Sequence, residues 1–183
     1  MPTIAILSKK IIQDDETTKK MKSDIPKFLN KGIELAQANT YVSTWFGSGA
    51  TERQTLRQGL LKIKKILDSG AALQLSSGSG DEYWNEDTMG SSYCYGMDEN
   101  LKHSRVEIFV GKAHKDSSYA EKVHTIFHEM THRILSTDDI KYNNQTCYGT
   151  AKCKQLAINK PSDAIKNADS WAFFLKHANN DFQ

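Results

Sequence analysis

Two histidines and a glutamate form the strongest chemical signal in this chain. Residues His128 to His132 read His-Glu-Met-Thr-His, an H-E-x-x-H motif. Residues four apart lie on one face of a helix, so His128 and His132 can direct imidazole nitrogens at the same Zn²⁺. Glu129 lies beside that position and can act as the general base for an attacking water. The motif therefore predicts zinc-dependent hydrolysis.

A site with two histidines needs a third protein ligand, with water in the fourth position. No glutamate follows Glu129, so a downstream Glu ligand is excluded. The pattern H-E-x-x-H-x-x-G-x-x-H also fails, because Leu135 and Asp138 stand where it requires Gly and His. The side chains that remain are Asp138, Asp139, Asp163, Asp169, Asp181 and His177. Of these, Asp138 and Asp139 follow the motif closely enough to fold back over it.

Length and composition restrict the class of protein. The 183 residues, 38% hydrophobic and 25% charged, predict one soluble globular domain over 24–183, with residues 1–23 an edge strand or flexible segment. A net charge of +2 gives no reason to expect a nucleic-acid partner. No apolar run is long enough to cross a bilayer, so no membrane association is expected. No signal peptide is recognisable, which predicts synthesis in the cytosol and either retention there or export without a cleaved signal.

Apolar spacing predicts the elements that position the motif. Arg105–Val110 alternates and is rich in β-branched residues, so it is the best strand. It precedes the motif helix, for which Asp116 or Ser117 is the predicted N-cap. Apolar residues on one side anchor that helix, and we interpret His124 as a cleft-lining or surface residue. Four other helices are predicted, from Ser23 or Asp24 to about Val42, over 52–68, over 150–159 and over 162–177. The second of these has a predicted capping box at Thr51-x-x-Gln54. A short strand is predicted over 71–75 and a loop over 78–98.

Three cysteines do not form a disulfide framework. Cys94, Cys147 and Cys153 allow one bridge or none. The two pairs that we consider are Cys147 with Cys153 and Cys94 with Cys153, in an oxidising compartment.

Several segments besides H-E-x-x-H resemble the aspzincins, the M35 deuterolysin group of zinc endopeptidases, and especially their peptidyl-Lys metalloendopeptidase branch. Residues 136–139 (Ser-Thr-Asp-Asp) resemble the G-T-x-D segment of that family. Tyr148-Gly149 and then Asn167-Ala168-Asp169 follow in the family's order, and Thr44-Trp45-Phe46-Gly47 is similar as well. The resemblance covers roughly residues 25–178. It is specific because four separate motifs occur in the same order.

The resemblance implies an α+β, mainly helical, zincin-like single domain with a small antiparallel sheet over the H-E-x-x-H helix. It also implies that His128, His132 and Asp139 hold Zn²⁺. Asp138 stays open as the alternative third ligand. Ser136 stands where the family pattern has Gly, which predicts an altered turn after the helix.

Catalytic and substrate-binding roles also follow from the resemblance. Glu129 would take a proton from water and pass one to the leaving amine, and Tyr148 would stabilise the oxyanion. Tyr142 stays open as the alternative phenol, because the segment before Tyr148 is longer than in the family pattern. Asp169 would either orient a ligand or line the pocket for a basic residue after the cleaved bond. Ala172 stands where the lysine-specific branch has a second acidic residue.

The predicted function is thus zinc-dependent hydrolysis of internal bonds in polypeptide substrates, with a preference for Lys or another basic residue after the cleaved bond. The strand Arg105–Val110, if it lies at an edge, would pair with the extended substrate. The alternative is a non-catalytic zinc- or protein-binding module that keeps the motif, which the presence of Glu129 disfavours. The missing signal peptide predicts a secreted bacterial effector or toxin that leaves through a specialised secretion system, with an immunity or chaperone protein as its partner.

Overall fold

The computed structural model describes residues 10–77, 89–92, 94, 96–98 and 105–183. The helices in these ranges are α1 Glu16–Leu35, α2 Asn39–Phe46, α3 Ala50–Asp68, α4 Lys112–Asp116, α5 Tyr119–Leu135, α6 Thr150–Asn159, α7 Pro161–Ala164 and α8 Ala168–Ala178. The strands are β1 Lys10–Ile11, β2 Ala72–Ser77, β3 Gly90–Ser91, β4 Arg105–Val110, β5 Lys141–Tyr142 and β6 Gln145–Thr146. The mainly helical α+β fold is confirmed. Most of the predicted loop over 78–98 lies outside the described residues.

The larger sheet packs against α5 with the strand order β1-β2-β4-β3. Strands β2 and β4 are parallel, with Leu75 opposite Ile108, whereas β1 and β3 run antiparallel to their neighbours. The sheet is therefore mixed, and the prediction of an antiparallel sheet is wrong in this respect. Strand β4 lies between β2 and β3, so it is not the edge strand that its suggested pairing with an extended substrate would require. Its buried run from Val106 to Val110 is typical of a strand covered on both faces.

Helix α5, which carries the H-E-x-x-H motif, lies in the centre of the core. Its predicted apolar face is buried at Val123, Phe127, Met130 and Ile134. Helix α8 packs along α5, and α1 and α3 also contact it. The helix begins one or two residues later than predicted, because Ser118, and not Asp116 or Ser117, caps it through a capping box with Glu121. This packing fixes α5 on one side and leaves its histidines facing the other.

The long first helix of the prediction is two helices. Asp15 caps α1, so the helix begins at Glu16, before the predicted start at Ser23 or Asp24. Pro26 therefore lies inside the helix, and the predicted boundary between residues 23 and 24 falls within α1. The final predicted helix is also two, because α7 ends at Ala164 and α8 begins at Ala168.

The capping-box prediction for α3 is wrong as well, since Gly49 is the N-cap and no side chain caps this helix. None of the helices among the described residues is long and apolar enough to span a membrane.

Ser136 ends α5 in the left-handed conformation, with φ 58° and ψ 36°. A side chain with a Cβ is disfavoured there, by roughly 1 kcal/mol relative to glycine. We expect Ser136→Gly to raise the free energy of unfolding by about 0.5–1 kcal/mol in urea denaturation. The matched control is Ser69→Gly, at the C-cap of α3 with φ −71°. It is expected to lower stability or leave it unchanged, and a Ser136→Gly protein no more stable than the parent would contradict the argument.

Candidate active site

Three side-chain atoms that could bind a metal, from the H-E-x-x-H helix and the segment after it, meet at one point. The Nε2 atoms of His128 and His132 lie 3.0 Å apart. Asp139 Oδ1 lies 3.2 Å from Nε2 of His128 and 3.4 Å from Nε2 of His132. Tetrahedral ligands about 2.0 Å from a zinc ion would be about 3.3 Å from one another. The spacing therefore suits a single metal ion held by these residues.

The hydrogen bonds on the far sides of the two rings determine where the imidazole protons lie. His132 Nδ1 lies 2.8 Å from the backbone oxygen of Thr137, which can only accept, so this nitrogen carries the hydrogen. His128 Nδ1 faces the Asp169 carboxylate at 3.4 Å and carries a hydrogen for the same reason. Both Nε2 atoms then present lone pairs, and the buried Oδ1 of Asp139 receives no hydrogen bond from any described residue. Three acceptors facing one another fit a divalent cation.

The turn after α5 directs Asp139 rather than Asp138 to this point. The backbone of Asp138 forms a parallel bridge with Asn167, through Asp138 N–H to the oxygen of Lys166 and Ala168 N–H to the oxygen of Asp138. The Asn167 side chain also accepts the N–H of Ile140 at 3.1 Å. Asp138 is exposed, and its carboxylate accepts the backbone N–H of Asp139. Asp138 thus serves the turn, while its neighbour faces the histidines.

His128, His132 and Asp139 form the ligand group, and the charge of each depends on the other two. Burial disfavours a charged His128, but the carboxylates of Asp139 and Asp169 outweigh it and raise the pKa of His128 to about 10. The pKa of His132 is also raised, by Asp139 against the effect of burial. For Asp139, burial alone would raise the pKa, but the two imidazoles beside it hold the pKa well below its usual range. A metal ion competes with protons for these lone pairs, so acidification favours its release.

Glu129 is buried beside the ligand group, with Oε1 4.0 Å from His128 Nε2. Burial raises the pKa of its carboxyl group, against the opposing effect of the two histidines. The hydroxyl of Ser92 lies 3.0 Å from Oε2 and orients the group. Residue 90 on β3 is glycine, and a Cβ there would lie 2.8 Å from Thr125 Cγ2 and 3.0 Å from Glu129 Cγ, so a larger residue would force these groups to shift. A buried carboxyl group with a raised pKa suits proton transfer near neutral pH.

Of the two tyrosines considered, the structure brings Tyr148 to the ligand group. Its hydroxyl donates to Asp139 Oδ2 at 2.6 Å, and its ring centre lies 5.9 Å from that of His128. Tyr142 lies on β5, in the hairpin with β6, and its ring faces the ammonium of Lys160. Burial and the Asp139 carboxylate both raise the pKa of Tyr148, so its hydroxyl keeps its proton and can donate.

Asp169 lies behind His128, with its carboxylate fully engaged. Oδ1 lies 2.8 Å from His124 Nε2 and 3.4 Å from His128 Nδ1. Oδ2 accepts from the Gly149 N–H at 2.7 Å and from the Cys153 thiol at 3.6 Å. Burial alone would raise its pKa, but the two histidines lower it well below its usual range. This arrangement orients His128 through its second nitrogen, which is one of the two roles predicted for Asp169.

The sequence did not predict two of these contacts. The pairing of His124 with Asp169 depends on the packing of α5 against α8, which no local pattern encodes. Ser92 lies in a segment whose composition carried no functional signal.

All three cysteines are free thiols, with Cys147 and Cys153 buried, so neither pairing considered from the sequence is formed.

A cavity of about 520 Å³ opens beside the ligand group. His128, Glu129 and Tyr148 form its wall near the metal position. Glu121, Phe173 and Lys176 also line it. Asp169 and His124 contribute to the same wall, so the interpretation of His124 as a cleft-lining residue agrees with its position.

The geometry agrees with comparisons to known proteins. The sequence model of a family described as lysine-specific metallo-endopeptidase, the M35 aspzincins, matches residues 33–176. The chain belongs to this family. This aspzincin is therefore a metalloendopeptidase, a hydrolase that acts on polypeptides and uses a metal ion, and membership disfavours the alternative of a non-catalytic module. A zinc peptidase from Grifola frondosa has a similar fold, with a TM-score of 0.65 and 19% identity over 91% of this chain and 98% of that one. No curated protein sequence matches significantly.

Proposed function

We propose that this aspzincin is a zinc-dependent endopeptidase in which His128, His132 and Asp139 hold the metal. The observation that carries this proposal is that three acceptor atoms, the two Nε2 atoms and Asp139 Oδ1, face one another beside the buried Glu129. None of the described residues donates a hydrogen bond to Asp139 Oδ1. Two imidazoles and one carboxylate are a ligand set of catalytic zinc sites, which leave the fourth position open. Bound zinc supplies a Lewis acid that polarises the substrate carbonyl and lowers the pKa of the attacking water.

The protein groups around that position have separate roles. Glu129 accepts a proton from the attacking water and later delivers one to the leaving amine, for which its raised pKa is suited. Tyr148 turns its hydroxyl from Asp139 to the oxyanion and stabilises it by hydrogen bonding. Asp169 keeps the His128 ring in the tautomer and orientation that expose Nε2.

An extended substrate is proposed to pair with β3, in place of the role predicted for β4. Among the described strands, β3 is the outer strand on the side of Glu129. Its outward backbone groups can bind the substrate main chain by strand addition, which does not require a chain end. Such binding suits cleavage in the middle of a polypeptide.

Substrates with Lys or Arg directly after the cleaved bond are proposed to be preferred, and the family's description as lysine-specific supports the preference for Lys. The oxygens of Asp169 already accept four hydrogen bonds or close contacts, so this carboxylate is poorly placed to receive another cation. Glu121 lines the same cavity, and Ser118 occupies only its Oε2 among the described contacts. The ammonium of Lys176 lies close enough to contribute to the lowered pKa of Glu121. Glu121 is therefore the proposed partner of the basic side chain, with a moderate preference because Lys176 opposes it.

Changing Glu121 to Gln tests this assignment, because glutamine keeps the capping box and removes only the charge. We expect the ratio of kcat/KM for peptides with Lys against Met after the cleaved bond to fall by roughly threefold to tenfold. Glu52→Gln, in the first turn of α3 and outside the lining of this cavity, is the control. An unchanged Lys:Met ratio in Glu121→Gln would show that this carboxylate does not select the substrate.

Tyr148→Phe removes the proposed oxyanion donor and keeps the ring. We expect kcat to fall by about 10²-fold, the scale for losing one such donor, with zinc content and stability retained. Steady-state kinetics on a quenched fluorescent peptide provides the measurement. Tyr142→Phe is the matched control and is expected to behave as the parent. A large loss in Tyr142→Phe, with none in Tyr148→Phe, would exchange the two roles.

Mass spectrometry of a digested mixture of denatured proteins tests the proposed function as a whole. We expect fragments cut at internal bonds, with basic residues enriched directly after the cut. A zinc chelator should abolish these fragments, and added Zn²⁺ should restore them. Cleavage that persists after metal removal would refute the proposal. Export without a signal peptide as a bacterial effector or toxin, and an immunity or chaperone partner, stay predictions from the sequence.

A further inference from the structure

A second recess adjoins the active-site cavity. It has a volume of about 210 Å³ and shares Phe173 and Lys176 with the larger cavity. The rest of its wall consists of Trp45, Thr150, Lys154, His177 and Asp181. Because the two cavities share wall residues on α8, a peptide that leaves the first cavity along this helix reaches the second.

The floor of the recess is aromatic and held in place. Phe173 stacks on Trp45, with ring centres 5.3 Å apart and planes within 8°, and it also contacts the His124 ring, with 4.5 Å between ring centres. The Trp45 indole N–H donates to His177 Nδ1 at 3.1 Å. Neutral His177 therefore carries its hydrogen on Nε2 and is a hydrogen-bond donor there. This floor needs little rearrangement to receive a side chain.

The recess carries an excess of positive charge. Lys154 holds its ammonium 5.3 Å from the centre of the Trp45 ring, and Lys176 stands between the two cavities. Neither lysine forms an ion pair with a carboxylate in the part of the chain that the structure describes. Asp181 is the single acidic residue among the described residues of the wall. Glu121, whose charge interacts with that of Lys176, lines the larger cavity and not the recess. Within the recess, two ammonium groups and an imidazole donor face one carboxylate, and this balance favours an anionic ligand.

The distance along α8 indicates which part of a substrate reaches the recess. Asp169 lies beside the metal position, and His177 follows eight residues later on the same helix. At a rise of 1.5 Å per residue this is about 12 Å. An extended peptide advances about 3.3 Å per residue, so it covers that distance in three to four residues. We propose that the recess is a subsite for an Asp or Glu side chain three or four residues after the cleaved bond. This inference rests on the proposed function for the direction in which the substrate lies.

Peptide binding in a Glu129→Gln background tests the subsite apart from turnover. Two fluorescent peptides share one sequence with Lys after the bond to be cleaved, and carry either Glu or Gln at the third and fourth positions beyond that bond. We expect the Glu peptide to bind roughly threefold to tenfold more tightly at low salt, and less so at high salt. Adding Lys154→Gln should reduce this difference, because only one of the two ammonium groups remains. Lys152→Gln is the matched control on the same helix, because its ammonium contacts Thr146 outside the recess and the difference should persist.

Equal affinity for the two peptides would overturn the subsite, and so would a Glu preference that Lys154→Gln leaves unchanged. The proposed function fails by a different result, namely the absence of zinc-dependent cleavage of either peptide by the protein with Glu129 intact. In that case the ratio of the affinities for the Glu and Gln peptides still tests whether the recess binds an acidic side chain.

Discussion

Replacement of Glu129 by Gln is expected to abolish peptide cleavage while metal binding and fold are retained. Glutamine has nearly the same shape and its amide oxygen can still accept the Ser92 hydroxyl, which lies 3.0 Å from Oε2 in the parent. It cannot accept the proton of the attacking water. Loss of a positioned general base lowers the rate by about 10²- to 10⁴-fold, and we expect a loss near the upper end because the same group also protonates the leaving amine. Single-turnover kinetics on a peptide substrate provides the measurement.

Two further measurements make this result specific to chemistry. Zinc per chain, determined by elemental analysis, should be unchanged, because Glu129 is not a ligand in this geometry. The urea midpoint should not fall, since burial already disfavours the charged carboxyl group. Glu129→Gln with the kcat of the parent would remove Glu129 from the mechanism. A variant that had lost its zinc would instead assign it to the metal site.

The second large effect is expected at Asp139. Its Oδ1 lies within 3.4 Å of both Nε2 atoms, and its Oδ2 holds the Tyr148 hydroxyl. Asp139→Ala removes one of the three proposed metal ligands and releases this tyrosine at the same time. Loss of a residue that only hydrogen-bonds to a metal ligand lowers metal affinity by up to about 100-fold. We expect the loss of a ligand itself to lower zinc affinity by more than this. Activity at limiting zinc should disappear, and competition with a fluorescent zinc indicator measures the affinity.

Asp138→Ala is the matched control for this experiment. The two aspartates are adjacent, but the Asp138 carboxylate faces the backbone of the turn and is exposed. We expect Asp138→Ala to keep zinc affinity close to that of the parent, with some loss of stability from the weakened turn. If Asp138→Ala lost zinc and Asp139→Ala retained it, the ligand assignment would be reversed.

The local sequence does not determine which of Asp138 and Asp139 faces the two histidines. The motif helix and the helix over 150–159 could be predicted because their apolar residues recur at helical spacing, and only packing against one face was needed. Asp138 and Asp139 carry the same chemistry at neighbouring positions. Their directions depend on the left-handed Ser136 and on the bridge to Asn167, which is distant in sequence. The family resemblance favoured Asp139, but the physical reason lies in that long-range contact.

The place of β4 in the sheet was unpredictable for a similar reason. Its β-branched residues identified the strand, but its place between two neighbouring strands depends on the pairing with Gly90–Ser91, two residues without strand propensity. The start of α1 was missed because its first turns carry mostly charged and polar residues, so the apolar stripe becomes clear only from Met21 onward. Asp169 was found as part of a motif, whereas its contacts with His124 and Gly149 follow from how α8 packs beside α5.

Titration of metal-free protein with Zn²⁺ tests the central claim most directly, when bound zinc and the rate of peptide cleavage are followed together. A single site formed by His128, His132 and Asp139 predicts no cleavage without metal, then a rate that rises in proportion to bound zinc and stops rising at one equivalent per chain. Cleavage by the metal-free protein, or a rate unrelated to the first equivalent of zinc, would contradict the claim.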